Sequence, residues 1–206
     1  ISNTSKIVVG NSEKIRLTLA AIISEGSILI EDYPGSGKTT FAKAITQSLG
    51  LNFKRVQFTS DLLPSDILGF YIFSDGNLNF QKGPIFTNIV LADELNRGSP
   101  KSQSAFLEAM EEKNVSIDGV SHSLPEPFFV IATQNPMDTS GTSSLPDSQL
   151  DRFMVSYSLS GLNDDDKIEM LKKEISFVDD NSEKIPWKKI KEKKNKLTVK
   201  DEIYKY

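Results

Sequence analysis

Apolar positions along this chain follow two spacings. They recur at helical intervals over 12–24 (Ile15, Leu17, Leu19, Ile22 and Ile23), over 38–49, and over 100–113 (Ala105, Phe106, Ala109 and Met110). These segments predict amphipathic helices, the first with Ser12 as N-cap and the second stopped by Gly50. β-type runs at 27–31, 53–58, 88–94, 128–133 and 153–159 predict five strands. Two further segments, 71–80 around Ser74-Asp75-Gly76-Asn77 and 115–124 around Asp118-Gly119, read as hairpins. Short helical segments are expected within 59–69 and at 147–152. Strands interleaved with helices predict an α/β fold. From Gly161 the composition shifts: an acidic helix start at 163–166, an apolar stripe of Ile168, Met170, Leu171 and Ile175, a polar linker, and a Lys-rich segment at 186–196 with Trp187 and Ile190. The chain therefore divides into an α/β domain over 1–160 and a helical unit over 161–206. Its last residues lie inside a helix-like pattern, as expected of a fragment.

The first strand runs into Glu31-Asp32-Tyr33-Pro34-Gly35-Ser36-Gly37-Lys38-Thr39-Thr40 and then directly into a helix. Strand, Gly-rich turn and helix opened by Lys-Thr make the arrangement of a phosphate-binding loop. Gly35 and Gly37 let backbone N–H groups converge on one concavity, and the helix N-terminus adds its own. Pro34, Gly35, Ser36, Gly37, Lys38, Thr39 and Thr40 are thus the candidate cofactor-binding residues. Lys38 is placed to reach the β- and γ-phosphates of ATP, and the Thr39 hydroxyl to sit on Mg²⁺. The first glycine of the motif is replaced by Asp32, whose carboxylate would repel phosphate unless it points away.

The strand at 88–94 ends in Asp93-Glu94. If both strands share a parallel sheet, these acids stand beside the phosphate loop, because functional groups gather at the carboxyl ends of such strands. Asp93 would then hold Mg²⁺, and Glu94 would activate the attacking water. The alternative is an acidic strand end that caps the next helix. Asn135, after the strand at 128–133, can orient water or touch a γ-phosphate, although an Asn before Pro is also an ordinary turn residue. Arg152 offers a guanidinium for γ-phosphate charge; spacing alone favours a salt bridge with Asp151 or another neighbour. His122, the single histidine, sits on a hairpin arm and receives no role.

A net charge of −4 gives no global basic field for nucleic acid or anionic lipid. The absence of cysteine excludes disulfides and thiolate metal sites. No apolar stretch is long enough to cross a bilayer, and no signal-peptide pattern opens the chain, so a cytoplasmic location is expected.

Taken together, these stretches resemble the AAA+ ATPases, and within them the MoxR family. The resemblance is carried by Val8-Val9-Gly10, Pro34 to Thr39, Gln57 to Asp66, Gly83 to Phe86, Leu91-Ala92-Asp93-Glu94-Leu95-Asn96-Arg97, Gln103 to Met110, Val115 to Val120, Leu124 to Phe129, Ala132 to Pro136, and Leu150-Asp151-Arg152-Phe153. It implies a P-loop three-layer sandwich with a five-stranded parallel sheet, followed by a partial helical lid. It implies that Val8, Val9 and Gly10 line an adenine pocket. It further implies that Asn135 acts as sensor 1, and that Arg152 is an arginine finger reaching a neighbouring subunit's site. The two hairpins would face the pore of a homo-hexameric ring. The family's pattern also implies ATP hydrolysis with Mg²⁺ and remodelling of protein clients, with von Willebrand factor A-type proteins as partners. Two departures qualify this: Asp32 replaces a glycine, and the chain stops before a sensor 2 arginine. A nucleotide-gated module with little hydrolysis, or a helicase-loader-like ATPase, are the competing readings.

Overall fold

The computed structural model describes residues 12–33, 35–136, 145–159 and 186–196. Its elements in chain order are α1 (Ser12–Ile23), β1 (Ile28–Glu31), α2 (Lys38–Leu49), β2 (Phe53–Gln57), α3 (Pro64–Leu68), β3 (Gly69–Ser74), β4 (Asn77–Lys82), β5 (Ile89–Asp93), a 3₁₀ turn (Leu95–Arg97), α4 (Pro100–Glu112), β6 (Asn114–Ile117), β7 (Val120–Ser123), β8 (Phe129–Gln134), α5 (Asp147–Leu150), β9 (Val155–Tyr157) and α6 (Trp187–Lys194). Among the described residues the main sheet has five strands in the order β2-β5-β8-β1-β9, and every pairing is parallel. The expected strands are all present, with ends shifted by one or two residues.

Both faces of this sheet are covered, which explains why β5 and β8 read as unbroken apolar runs rather than alternating ones. Leu29, Val56, Val90, Ala92, Val130 and Ala132 point to one side, where Phe106, Leu107 and Met110 of α4 and Ile67 of α3 close the core. Ile28, Ile30, Ile89, Leu91, Phe129 and Ile131 point to the other, against Ile15 and Ile22 of α1 and Phe41, Ile45 and Leu49 of α2. The period of two along each strand thus builds three layers. Trp187 and Ile190 of α6 pack on the second core, with the Trp187 ring 5.3 Å from that of Phe129. The Lys-rich segment is therefore a docked helix whose lysines face outward. The rest of the expected lid, 161–185 and 197–206, lies outside the described residues.

The β3–β4 and β6–β7 hairpins meet at His122. Its ring stacks on Phe80 at 4.0 Å, and its Nε2 lies 3.0 Å from the Tyr71 hydroxyl. This corrects the expectation for His122: it is half-buried and joins the two hairpins.

Tyr157 of β9 is buried against α1, where its hydroxyl pairs with that of Thr18. Burial pushes the phenol up to about 12. Above pH 10 the unfolded chain ionises its tyrosine while the folded chain does not, so stability falls as pH rises from 10 to 12. This group costs about 2–3 kcal/mol over that window. Urea midpoints measured against pH should fall less steeply for Tyr157→Phe than for the wild type.

Candidate functional site

Strand order places the site. The chain leaves β1, crosses to the far edge at β2, and returns through β5 and β8 before β9 is laid on the other side of β1. A crevice at the carboxyl ends of such strands is where open α/β sheets bind ligands. The loop after β1 lies on this edge. Gly35 and Gly37 both have φ of 83°, left-handed backbone that residues with a Cβ rarely adopt. Among the described residues, the adjoining ones aside, no atom stands within 4 Å of where a Cβ would project from either, so both glycines face open space. Gly37 is the N-cap of α2, and the first N–H groups of that helix have no intrahelical partner. Lys38 donates from Nζ to the carbonyls of Asp32 (3.1 Å) and Tyr33 (2.7 Å), bracing the loop at its base. Thr39 and Thr40 follow in the first turn of α2. Pro34, Val8, Val9 and Gly10 lie outside the described residues.

The Asp32 carboxylate is buried and turned toward the chain after β9. Its Oδ2 accepts from the Leu159 backbone N–H at 3.0 Å, and its Oδ1 from that of Tyr33 at 2.8 Å. The substitution at the first glycine position therefore directs charge to backbone donors at the sheet edge.

Asp93 ends β5, between β2 and β8, and Glu94 follows it directly. Asp93 is buried, and both neighbouring strands bind it. The Thr133 hydroxyl of β8 donates to Oδ1 at 2.6 Å, while Arg55 of β2 donates to Oδ2 from Nε at 2.9 Å and from Nη2 at 2.7 Å. Glu94 then leaves the strand with φ of 54°. That conformation costs a non-glycine residue about 1–2 kcal/mol. It is held by the Glu94 N–H donating to Thr133 Oγ1 (2.9 Å) and by the Arg97 N–H donating to the Glu94 carbonyl (2.8 Å). The turn swings the Glu94 side chain off the strand axis, where its Oε2 accepts from Gln57 Nε2 (2.8 Å) and Arg97 Nη1 (2.9 Å). Arg55 Nη2 also donates to Gln57 Oε1, so one polar chain runs Asp93–Arg55–Gln57–Glu94–Arg97.

The structure brings Lys38, Thr39, Asp93 and Glu94 to one edge of the sheet. Asn135 is there too, immediately after β8, with its carbonyl accepting from Asn96 at 3.4 Å. Arg152 follows α5, and its guanidinium is held by Glu111 of α4 at 2.8 Å. The partner is a neighbour in space rather than the adjacent Asp151. Four members of the network were not singled out from the sequence: Arg55, Gln57, Arg97 and Thr133. Arg55 and Gln57 alternate on β2, and Gln57 stands opposite Asp93 in the register. That signal is readable only once strand order is known.

A nucleotide phosphate with Mg²⁺ fits these residues. Gly35 and Gly37 face open space, and between them the Ser36 hydroxyl oxygen is buried and without a partner among the described residues. Among those residues no group of three or more metal-ligating side chains comes together. A hydroxyl and a carboxylate are the sparse donor set that suits Mg²⁺ shared with phosphate.

Residues 27–155 match the ATPase family associated with various cellular activities (AAA). The fold agrees: it superposes on the crystal structure of a protein from Cytophaga hutchinsonii ATCC 33406 described as a "putative ATPase", with a TM-score of 0.87 and 38% identity, covering 100% of this chain and 64% of that one. These matches define a P-loop ATPase of the AAA class. Within that class, the chain is 42% identical over 156 residues to Chaperone MoxR1 of Mycobacterium tuberculosis, covering 75% of this chain and 41% of that protein. It is 30% identical over 166 residues to Protein MoxR of Methylorubrum extorquens, covering 78% of this chain and 48% of that protein. It is 51% identical over 156 residues to the uncharacterized protein YeaC of Bacillus subtilis, covering 75% of this chain and 49% of that protein. The chain belongs to the MoxR family of AAA+ ATPases and spans about half the length of the curated relatives it matches. No described helix is long and apolar enough to cross a membrane.

Proposed function

We propose that this chain binds ATP with Mg²⁺ and hydrolyses it to remodel or assemble protein clients, acting in the cytoplasm as a ring of six copies. The observation that carries the reading is the acid pair Asp93-Glu94 at the same sheet edge as an open loop built on two left-handed glycines. The bound nucleotide supplies the phosphoryl group to be transferred, and Mg²⁺ neutralises its developing charge.

The chain's own residues do the rest. N–H groups of Gly35 to Thr40 and the Lys38 ammonium hold the phosphates, with Val8, Val9, Gly10 and Pro34 completing the nucleotide pocket. Thr39 Oγ1 and Asp93 hold the metal. Glu94 accepts a proton from the attacking water, and Asn135 orients that water. Arg152 is directed at the cradle of the next copy, which makes each site incomplete alone. Residues 161–206 serve as the lid, and a von Willebrand factor A-domain protein is the proposed partner. The relative called a chaperone supports the client-remodelling part.

A second reading, a nucleotide-gated module with little hydrolysis, is favoured by the way Gln57 and Arg97 occupy Glu94 Oε2. Phosphate release measured against protein concentration separates the two. Hydrolysis in a shared site makes specific activity rise with concentration. A specific activity that is constant, or that is zero at every concentration, contradicts a shared hydrolytic site.

A further inference from the structure

Asp93 is the residue proposed to hold the metal, yet its Oδ2 already accepts two hydrogen bonds from one guanidinium. Oδ1 is taken by the buried Thr133 hydroxyl, which also receives the Glu94 N–H. That single bond to Oδ1 fixes the strand ends, and the fully occupied oxygen is Oδ2. A carboxylate oxygen offers about two lone-pair sites, and on Oδ2 the Nε and Nη2 donors of Arg55 fill them at 2.9 and 2.7 Å. A divalent cation arriving at Oδ2 must therefore displace at least one of these donors.

Arg55 is well placed to leave. It lies on an edge strand, and its side chain is 49% exposed, against 10% for Asp93. Its charge can return to water while the carboxylate stays fixed by Thr133. A guanidinium hydrates more weakly than an ammonium and makes planar two-donor contacts, so it is a good occupant of a buried carboxylate. Without such a cation, Asp93 would carry an uncompensated charge in a nearly closed setting.

We propose that Arg55 is a resident counter-cation of Asp93, which a divalent metal binding at Oδ2 evicts. This rests on reading Asp93 as a metal-holding carboxylate. Eviction has a second consequence. Arg55 also donates to Gln57 Oε1, and Gln57 Nε2 holds Glu94 Oε2. Metal arrival at Asp93 thereby removes a support from the group that restrains Glu94. Arg55 is a positioning residue: it acts on the metal and on Glu94 through Asp93 and Gln57. Competition of this kind is reciprocal, so Arg55 weakens the metal by the factor by which the metal weakens Arg55.

The test measures the ADP dissociation constant by calorimetry on the full chain, once in EDTA and once in excess Mg²⁺. Wild type, Arg55→Gln and Arg55→Lys are compared, and thermal melts check that each folds. The ratio of the two constants reports metal binding at the site. The ratio is expected to rise about tenfold in Arg55→Gln, within the usual range of coupling between competing groups, with the value in EDTA unchanged. A smaller rise is expected in Arg55→Lys, which keeps the charge and loses the paired donors. If Arg55→Gln does not fold, the Arg55→Lys rise decides. A ratio equal to wild type in the folded variants overturns the proposal. So does ADP binding weakened equally in both solutions, which would make Arg55 a phosphate ligand. Failure of wild-type ADP binding in Mg²⁺ would instead remove the nucleotide-binding reading beneath it.

Discussion

Arg152→Ala is expected to lower ATP turnover by about 10³–10⁵-fold, the range found when a trans-acting arginine is supplied or lost. The Arg152 side chain is 35% exposed, and its guanidinium pairs at the surface with a Glu111 that is itself 57% exposed. Such a bridge is worth about 0–1 kcal/mol, so a neighbouring copy's phosphate can draw the arginine away at little cost. On the proposal that the residue serves another copy, the variant's own cradle stays intact and its ATP affinity should change little. Mixing Arg152→Ala with an inactive Glu94→Gln chain should then restore some turnover, since mixed rings pair an intact cradle and acid with an intact arginine. Steady-state phosphate release on each variant and on the mixture checks this. Undiminished turnover in Arg152→Ala would leave the arginine as a structural partner of Glu111 alone.

Glu94→Gln is expected to cost about 10²–10⁴-fold in turnover, the contribution of a well-placed general base. Size and shape are conserved. The backbone bonds that hold the left-handed turn, Glu94 N–H to Thr133 and Arg97 N–H to the Glu94 carbonyl, do not depend on the side chain. A glutamine oxygen can still accept from Gln57 and Arg97. The loss should therefore fall on the chemical step, while folding and nucleotide affinity persist. Melting temperature and phosphate release, measured together, separate the two effects.

What was legible in the sequence was local. The loop at Gly35–Thr39 could be read because turn, lysine, hydroxyl and helix start are contiguous. The acids at the end of β5 and just after it could be read because an apolar run ends in them. The five strands followed from apolar runs bounded by turns. Contacts across strands were not legible. Arg55 and Gln57 are close to Asp93 and Glu94 only because β2 lies beside β5, and Thr133 only because β8 lies on the other side. The direction of the Asp32 carboxylate depended on a backbone N–H 127 positions along the chain. His122 looked incidental until two hairpins met around it. Arg152 had an ion-pair partner, as spacing suggested, but Glu111 comes from the end of a helix packed nearby.

The reading as a whole turns on whether this loop and these acids form one nucleotide site with separable binding and hydrolysis. Titration of ATP into the Glu94→Gln chain in excess Mg²⁺, followed by calorimetry, addresses that directly. The account predicts saturable binding of one nucleotide per chain with phosphate release lost. An absence of saturable binding, or binding with turnover equal to wild type, would contradict it.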